Sequence, residues 1–200
     1  MSEQNSTLPL FPLGTVLFPD GLLPLRVFEA RYMDMTARCL REGSTFGVCL
    51  IAAGSEVGEA AVPHTVGTEA CIEQWEMSEP GVLSIVVRGR RRFRIEDHEV
   101  ERDGLLRGRV RWLAEPAPQA VPAAQADILP LLDLIAGEVG NPLPSPHRFD
   151  DAAWVGARYA ELLPIPQRAR QALLELDDAL SRLEIIQQYL RQHGLLGPAA

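Results

Sequence analysis

Residues 8–32 read LPLFPLGTVLFPDGLLPLRVFEARY, and the turn chemistry inside this stretch decides how the chain begins to fold. Pro19 fixes its own φ, the Asp20 side chain can hydrogen-bond back to the backbone, and Gly21 can adopt a positive φ. Together they predict a chain reversal between two short strands, residues 14–18 and 22–26.

The period of the apolar residues changes after the second strand. Phe28, Tyr32 and Cys39 recur at the spacing of one helical face, and Gly43 follows in a position suited to the left-handed conformation that ends many helices. The sequence therefore predicts a helix over residues 28–42.

The rest of the first half has the alternation of half-buried strands, and the second half has helical periodicity. Strands are predicted at residues 45–52, 66–77, 82–88, 91–97 and 105–113, with Pro80-Gly81 as a hairpin turn. Proline density rises over residues 114–123, which predicts a linker between two subdomains. Helices are predicted beyond it at residues 124–139, 150–163, 166–176 and 178–192, with Asp150 capping the second of them.

The opening stretch closely resembles the start of the Lon protease substrate-binding (N-terminal) domain family, in its Leu-Pro-Leu-Phe-Pro-Leu run, its Phe-Pro-Asp-Gly turn and its Phe-Glu-Ala-Arg-Tyr segment. Residues 89–95 and 163–186 resemble later parts of the same family, so the similarity spans residues 8–192 in order. The resemblance implies an α+β fold. It implies a PUA-like β pseudo-barrel over residues 8–113, followed by a helical bundle subdomain over residues 124–194.

Composition limits the chemistry that the chain can perform. It has 19 basic and 27 acidic residues for a net charge of −8, and every basic residue is arginine. A phosphate-binding P-loop needs its lysine, and a Ser-Lys protease dyad needs its amine. We therefore expect no catalytic residues and no enzyme activity, and the resemblance implies a stand-alone recognition domain without ATPase or peptidase parts.

Neither a metal site nor a cofactor is expected. Cys39, Cys49 and Cys71 lie far apart without a Cys-x-x-Cys pair, and the four histidines are scattered. Cys39 and Cys49 fall in apolar patterns and are expected to be buried thiols. No apolar run reaches the length of a membrane helix, and the first residues lack a secretory signal pattern. The sequence thus predicts a cytoplasmic protein without membrane contact.

Arginines are concentrated between residues 88 and 111. Strand alternation predicts that two sets of three arginines each share one face of their strand: Arg90, Arg92 and Arg94 on one strand, and Arg107, Arg109 and Arg111 on the next. If the two strands pair as a hairpin with those faces aligned, the six form a positive ridge. The alternatives are a solvated face screened by Glu96, Asp97, Glu99 and Glu101, or a docking surface for an acidic segment or a phosphate backbone. The negative net charge disfavours nucleic acid, because such binding depends on neutralising phosphates.

Two further groups of residues are candidates for function. Trp75 and Met77 alternate onto one face of a strand, where they either contact a peptide or belong to the core. Phe28, Glu29 and Arg31 form a candidate structural motif at the start of the first helix, in which Arg31 is expected to pair with a carboxylate on a neighbouring strand.

By analogy with the family, the sequence predicts a non-catalytic module that binds unfolded polypeptide segments or a partner protein. The alternative is an RNA-binding PUA-like protein that uses the arginine ridge. The sequence also leaves self-association open.

Overall fold

The computed structural model describes residues 5–115, 117–138 and 143–196. The chain divides into two compact units, Met1–Ala114 and Glu115–Ala200. Within the described residues the first unit carries the strands and one helix, and the second carries helices. The predicted α+β fold class is confirmed.

The first unit is a mixed sheet with one helix. Its elements are β1 (Asn5–Leu13), β2 (Leu22–Val27), α1 (Ala30–Glu42), β3 (Phe46–Ala53), β4 (Val62–Glu79), β5 (Val82–Val100) and β6 (Leu106–Trp112). The strand order is β2-β5-β4-β3-β1-β6, and β6 also pairs with the far half of β5. That additional pairing curls five strands into a barrel-like ring and leaves β2 outside it as an edge strand.

The predicted strand over residues 14–18 is wrong. The first strand ends at Leu13, and the following apolar residues are buried without belonging to a ladder. Thr68 anchors this segment by donating from Oγ1 to the Leu17 carbonyl at 2.6 Å. A short apolar run indicates burial, and periodicity alone does not separate a buried strand from a buried loop.

The predicted reversal at Pro19 is present, with one difference. The Gly21 amide donates to the Phe18 carbonyl at 3.0 Å, which closes a four-residue turn. Asp20, and not Gly21, adopts the positive φ, at 62°. Proline followed by a residue at positive φ is the pattern of a type II turn, and aspartate tolerates that conformation better than most residues.

Two apolar clusters of described residues stabilise the first unit. One joins Tyr32, Met35 and Cys39 of α1 to the sheet residues beneath them. The other contains Leu10 and Phe93, draws on β1, β3, β5 and β6, and has no member from α1. The sheet therefore buries apolar side chains on both faces, against the helix on one and inside the ring on the other.

Among its described residues, the second unit contains a 3₁₀ helix (Ala123–Ile128) and four α-helices: α2 (Leu129–Ala136), α3 (Ala152–Leu162), α4 (Gln167–Glu175) and α5 (Ala179–Gln192). The predicted helix over residues 124–139 is two shorter pieces, and its predicted end at Val139 lies outside the described residues. The predicted cap at Asp150 is wrong by one position, because the Asp151 carboxylate accepts from the Ala153 amide at 3.0 Å.

Candidate functional site

The predicted arginine face on β5 is interrupted at Arg92. Arg90 and Arg94 are exposed, but Arg92 is only 1% exposed and its Nη2 donates to the Ala114 carbonyl at 3.4 Å. The two-residue step from Thr68 to Ala70 on β4 corresponds to three residues on β5, so a β-bulge lies between Gly89 and Arg92. The extra residue reverses the side-chain alternation between Arg90 and Arg92, whereas Arg92 and Arg94 stay in regular register, so the predicted common face of all three arginines is wrong.

The arginines of β6 do share an outward face, as predicted, but carboxylates from β5 and the turn that follows it neutralise them. Arg109 contacts Glu96 at 3.1 Å and Arg111 contacts the same carboxylate at 3.7 Å. Arg107 pairs with Glu101. A phosphate would have to displace these ion pairs, so this surface has the character of a screened outer face.

Trp75 and Met77 lie in the second half of β4 and are 61% and 56% exposed. Their exposure excludes the core alternative. β3 pairs with β4 only up to Ala70, so the strand runs beyond the barrel-like ring with β5 as its neighbour. Both side chains are available for contact.

Glu29 and Arg31 fasten the start of α1. Arg31 is 7% exposed; its Nη2 donates to the Glu29 carboxylate at 2.9 Å, and its Nη1 donates to the Gly104 carbonyl at 3.0 Å. Its guanidinium also lies 4.7 Å from the centre of the Tyr32 ring. The predicted carboxylate partner on a neighbouring strand is wrong, because the partners are Glu29 itself and a backbone carbonyl in the turn before β6.

Phe28 differs from these two residues, because it is 55% exposed. It borders an open groove of about 300 Å³. The apolar lining of this groove, which we call the Phe28 groove, consists of Phe11, Leu13, Pro24, Leu25, Val27, Phe28, Tyr32 and Val57. Burial raises the pKa of Tyr32, with Arg31 opposing the shift, so the phenol stays neutral and serves as an apolar wall.

Sequence reasoning missed this groove for two reasons. The apolar spacing predicts Phe28 on the buried face of the first helix, but the helix begins at Ala30, so Phe28 does not follow its period. Val57 lies between β3 and β4, more than half exposed, where no periodic signal exists. A phenylalanine just before a helix start was the one available sign.

Metal binding has no support in the part of the chain that the structure describes, since no group of three or more His, Cys, Asp or Glu residues is placed to hold an ion. The described helices are also too short or too polar to cross a membrane.

The three thiols differ in accessibility. Cys39 and Cys49 are buried, and burial raises the pKa of both, whereas Cys71 is partly exposed. Because the thiolate is the reactive form, we expect iodoacetamide to alkylate Cys71 in the native protein and the other two thiols only after unfolding. Mass spectrometry of peptides from native and urea-treated samples tests this. Native labelling of Cys49 at the rate of Cys71 would contradict the packing described above.

The sequence pattern of the ATP-dependent protease La (LON) substrate-binding domain matches residues 7–192. This chain belongs to that family. Its relatives include Lon protease 2 of Myxococcus xanthus, 24% identical over 92% of this chain and 23% of the relative. They also include cereblon of Danio rerio, 30% identical over 57% of this chain and 26% of the relative. The chain thus spans about a quarter of the length of these relatives.

Solved structures agree with this family assignment. The crystal structure of a Lon N-terminal domain protein from Xanthomonas campestris is 39% identical, covers 92% of this chain and 98% of that one, and superposes with a TM-score of 0.76. The N-terminal domain of the Mycobacterium avium complex Lon protease, 21% identical with a TM-score of 0.61, shares the fold.

Proposed function

We propose that this chain is a non-catalytic recognition module that binds exposed apolar segments of unfolded polypeptides through the Phe28 groove. The observation that carries the proposal is the exposure of an aromatic side chain on the rim of an open, apolar-walled depression. Membership in the substrate-binding domain family supports it. A folded partner that presents an apolar segment would use the same surface.

The energetics of the groove suit weak, sequence-tolerant binding. Covering an apolar side chain contributes about 1.5 to 3 kcal/mol, so one or two residues of a bound segment supply a modest affinity. The acidic side chains at the rim, Glu29 and Glu56, are held by Arg31 and by the Gly14 amide respectively. The apolar walls therefore remain the main source of attraction, and binding should be tolerant of salt.

Phe28→Ser should weaken the binding of a fluorescently labelled unfolded reporter polypeptide by about tenfold, because the rim loses most of its apolar contact area. Fluorescence anisotropy at low and physiological salt measures this. Leu134→Ser is the matched control, since Leu134 is 66% exposed on α2 and its loss should leave binding unchanged. An equal loss of reporter affinity in both variants, or no loss of affinity in Phe28→Ser, would contradict the proposed site.

The RNA alternative is tested with the same protein and a mixed RNA pool. Phosphate binding would fall steeply with salt and would collapse when Arg109 and Arg111 are changed to glutamate. We expect no such binding, because both side chains already pair with Glu96. Steeply salt-dependent RNA binding without reporter binding would replace polypeptide recognition as the function.

A further inference from the structure

The second half of β4 has an unpaired edge. On the side away from β5, its partner is β3, whose pairing reaches no further than Ala70. Within the described residues no strand pairs with that side of β4 between Cys71 and Glu79. Alternate residues of an edge strand direct their N–H and C=O groups outward, so this segment presents backbone donors and acceptors on either side of two register shifts, between Ile72 and Gln74 and between Glu76 and Glu79. We call it the β4 edge.

The β4 edge lacks one of the protections that edge strands carry. Strand β2, the other edge of the sheet, has Pro24 near its middle, and a missing N–H discourages strand addition there. No proline lies between Cys71 and Glu79. Trp75 and Met77 instead place large apolar side chains, each more than half exposed, on this edge.

The side chains of the β4 edge differ in the face of the sheet on which they lie and in whether their charge is paired. Trp75 lies opposite Ile85 and Glu76 lies opposite Ser84 on β5, so the tryptophan and the glutamate point to opposite faces of the sheet. Two other glutamates on the strand are already held, Glu73 by Arg88 and Glu79 by Arg26. Glu76 has no ion-pair partner among the described residues, so the uncompensated charge beside Trp75 is negative, whereas Arg90 lines the cleft at the start of the edge.

Space for an added chain is present at the start of the edge. A cleft of about 780 Å³ opens between the end of α1 and β4, and Ser44, Cys71 and Ile72 are among its lining residues. An extended segment alongside β4 would enter this cleft beside Ile72 and continue past Trp75.

We propose that the β4 edge binds an extended polypeptide segment as an added strand, and that it selects alternating apolar and basic residues. Backbone groups supply the hydrogen bonds, Trp75 and Met77 contact the apolar side chains, and Glu76 faces a basic one. The proposal rests on polypeptide recognition as the function of this domain and adds a second binding surface, separate from the Phe28 groove, with the class of segment that it binds. A second copy of the chain fits poorly, because antiparallel pairing centred on Glu76 sets Glu76 against Glu76 and Glu73 against Glu79.

The test uses labelled peptides of alternating leucine and arginine, N-methylated at every second backbone nitrogen. In one peptide the methyl groups replace the amide hydrogens of the leucines, and in the other they replace the amide hydrogens of the arginines. An added strand turns only one of these two sets toward β4. We expect one methylated peptide to bind at least about tenfold more weakly than the parent and the other to bind within about twofold of it.

The outcomes separate this inference from the proposed function. If the two methylated peptides bind equally, or lose binding equally, while the unfolded reporter still binds, strand addition is wrong and polypeptide recognition stands. If neither reporter nor parent peptide binds, both proposals fail.

A charge exchange provides an independent measurement. Glu76→Lys should weaken binding of the leucine–arginine peptide by about fivefold and strengthen binding of a leucine–glutamate peptide by a similar factor. The reason is that the charge pair across the two strands becomes repulsive for arginine and attractive for glutamate. Glu184→Lys, on the exposed side of α5, changes the net charge equally and should leave both affinities unchanged. The same preference for arginine peptides in Glu76→Lys as in the parent protein would overturn the assigned role of Glu76.

Discussion

Gly89→Ala is expected to destabilise the first unit by about 3 kcal/mol or more, near the upper end of what overpacking costs. A Cβ at this position would lie 2.1 Å from the Phe18 carbonyl oxygen and 3.0 Å from its carbon. Chemical denaturation in urea, followed by Trp75 and Trp112 fluorescence in a Trp154→Phe background, measures the change. The midpoint should fall by about 1 to 3 M urea.

The neighbouring turn cannot move to make room. The Phe18 carbonyl that the new Cβ meets accepts the Gly21 amide at 3.0 Å, and Pro19 fixes the backbone between them. Gly89 itself exchanges two hydrogen bonds with the turn, from its amide to the Gly21 carbonyl at 2.9 Å and from the Asp20 amide to its carbonyl at 2.8 Å. Relieving the clash therefore requires breaking at least one of these three hydrogen bonds.

Gly137→Ala is the control for the glycine change. Gly137 has φ −80° and the nearest atom to an added Cβ is 3.6 Å away, so alanine fits without strain. It should be neutral or stabilising by up to about 1 kcal/mol. A Gly89→Ala protein as stable as the parent would show that the turn is not held as tightly as its hydrogen bonds indicate.

The sequence predicted those parts of the fold that depend on the backbone preferences of a few neighbouring residues. The turn at Pro19, the helix that ends at Gly43 and the hairpin at Pro80-Gly81 each rest on a residue whose backbone preference is strong. The Gly43 amide donates to the Cys39 carbonyl with φ 63°, and Gly81 has φ 81°, as such turns require. A proline inside a strand also favours a sheet edge, and β2, which contains Pro24, is an edge strand.

The parts that could not be predicted depend on pairing between distant segments. The bulge that separates the face of Arg90 from that of Arg92 exists because β4 and β5 change register between Thr68 and Ala70, and no residue near it signals the change. The neutralisation of Arg109 by Glu96 likewise depends on how β5 and β6 align. Alternation in the sequence predicts faces only while the ladder is regular.

The candidate site likewise combines features that local sequence predicts with features that depend on distant segments. Trp75 and Met77 could be placed on one face of a strand, but whether they are core or surface depends on where β3 stops pairing, which only the tertiary structure decides. The Phe28 groove gathers residues from β1, β2, α1 and the connection before β4, and no local pattern unites them.

Arg31→Met is expected to cost about 3 kcal/mol in the stability of the first unit. Removing one partner of a buried ion pair leaves the other charge without compensation, which typically costs 3 to 5 kcal/mol. The Glu29 side chain retains 20% of its exposure, so part of this cost is relieved by water. The Gly104 carbonyl and the Tyr32 ring also lose their contacts with the guanidinium. Arg31→Lys should cost less, because it keeps the charge but does not satisfy both acceptors in the planar geometry of arginine.

A double-mutant cycle with Glu29→Gln separates the ion pair from the other contacts of Arg31. If the two residues act together, the double variant should cost about 1 to 2 kcal/mol less than the sum of the single changes, as coupled neighbours do. Additive losses, each under about 1 kcal/mol, would contradict the structural role and leave Arg31 available for a ligand. Because Glu29 directly follows Phe28, the same ion pair holds the rim of the Phe28 groove in place. Arg31→Met should therefore weaken reporter binding even under conditions in which the variant remains folded, a loss that a purely remote stabilising residue would not produce.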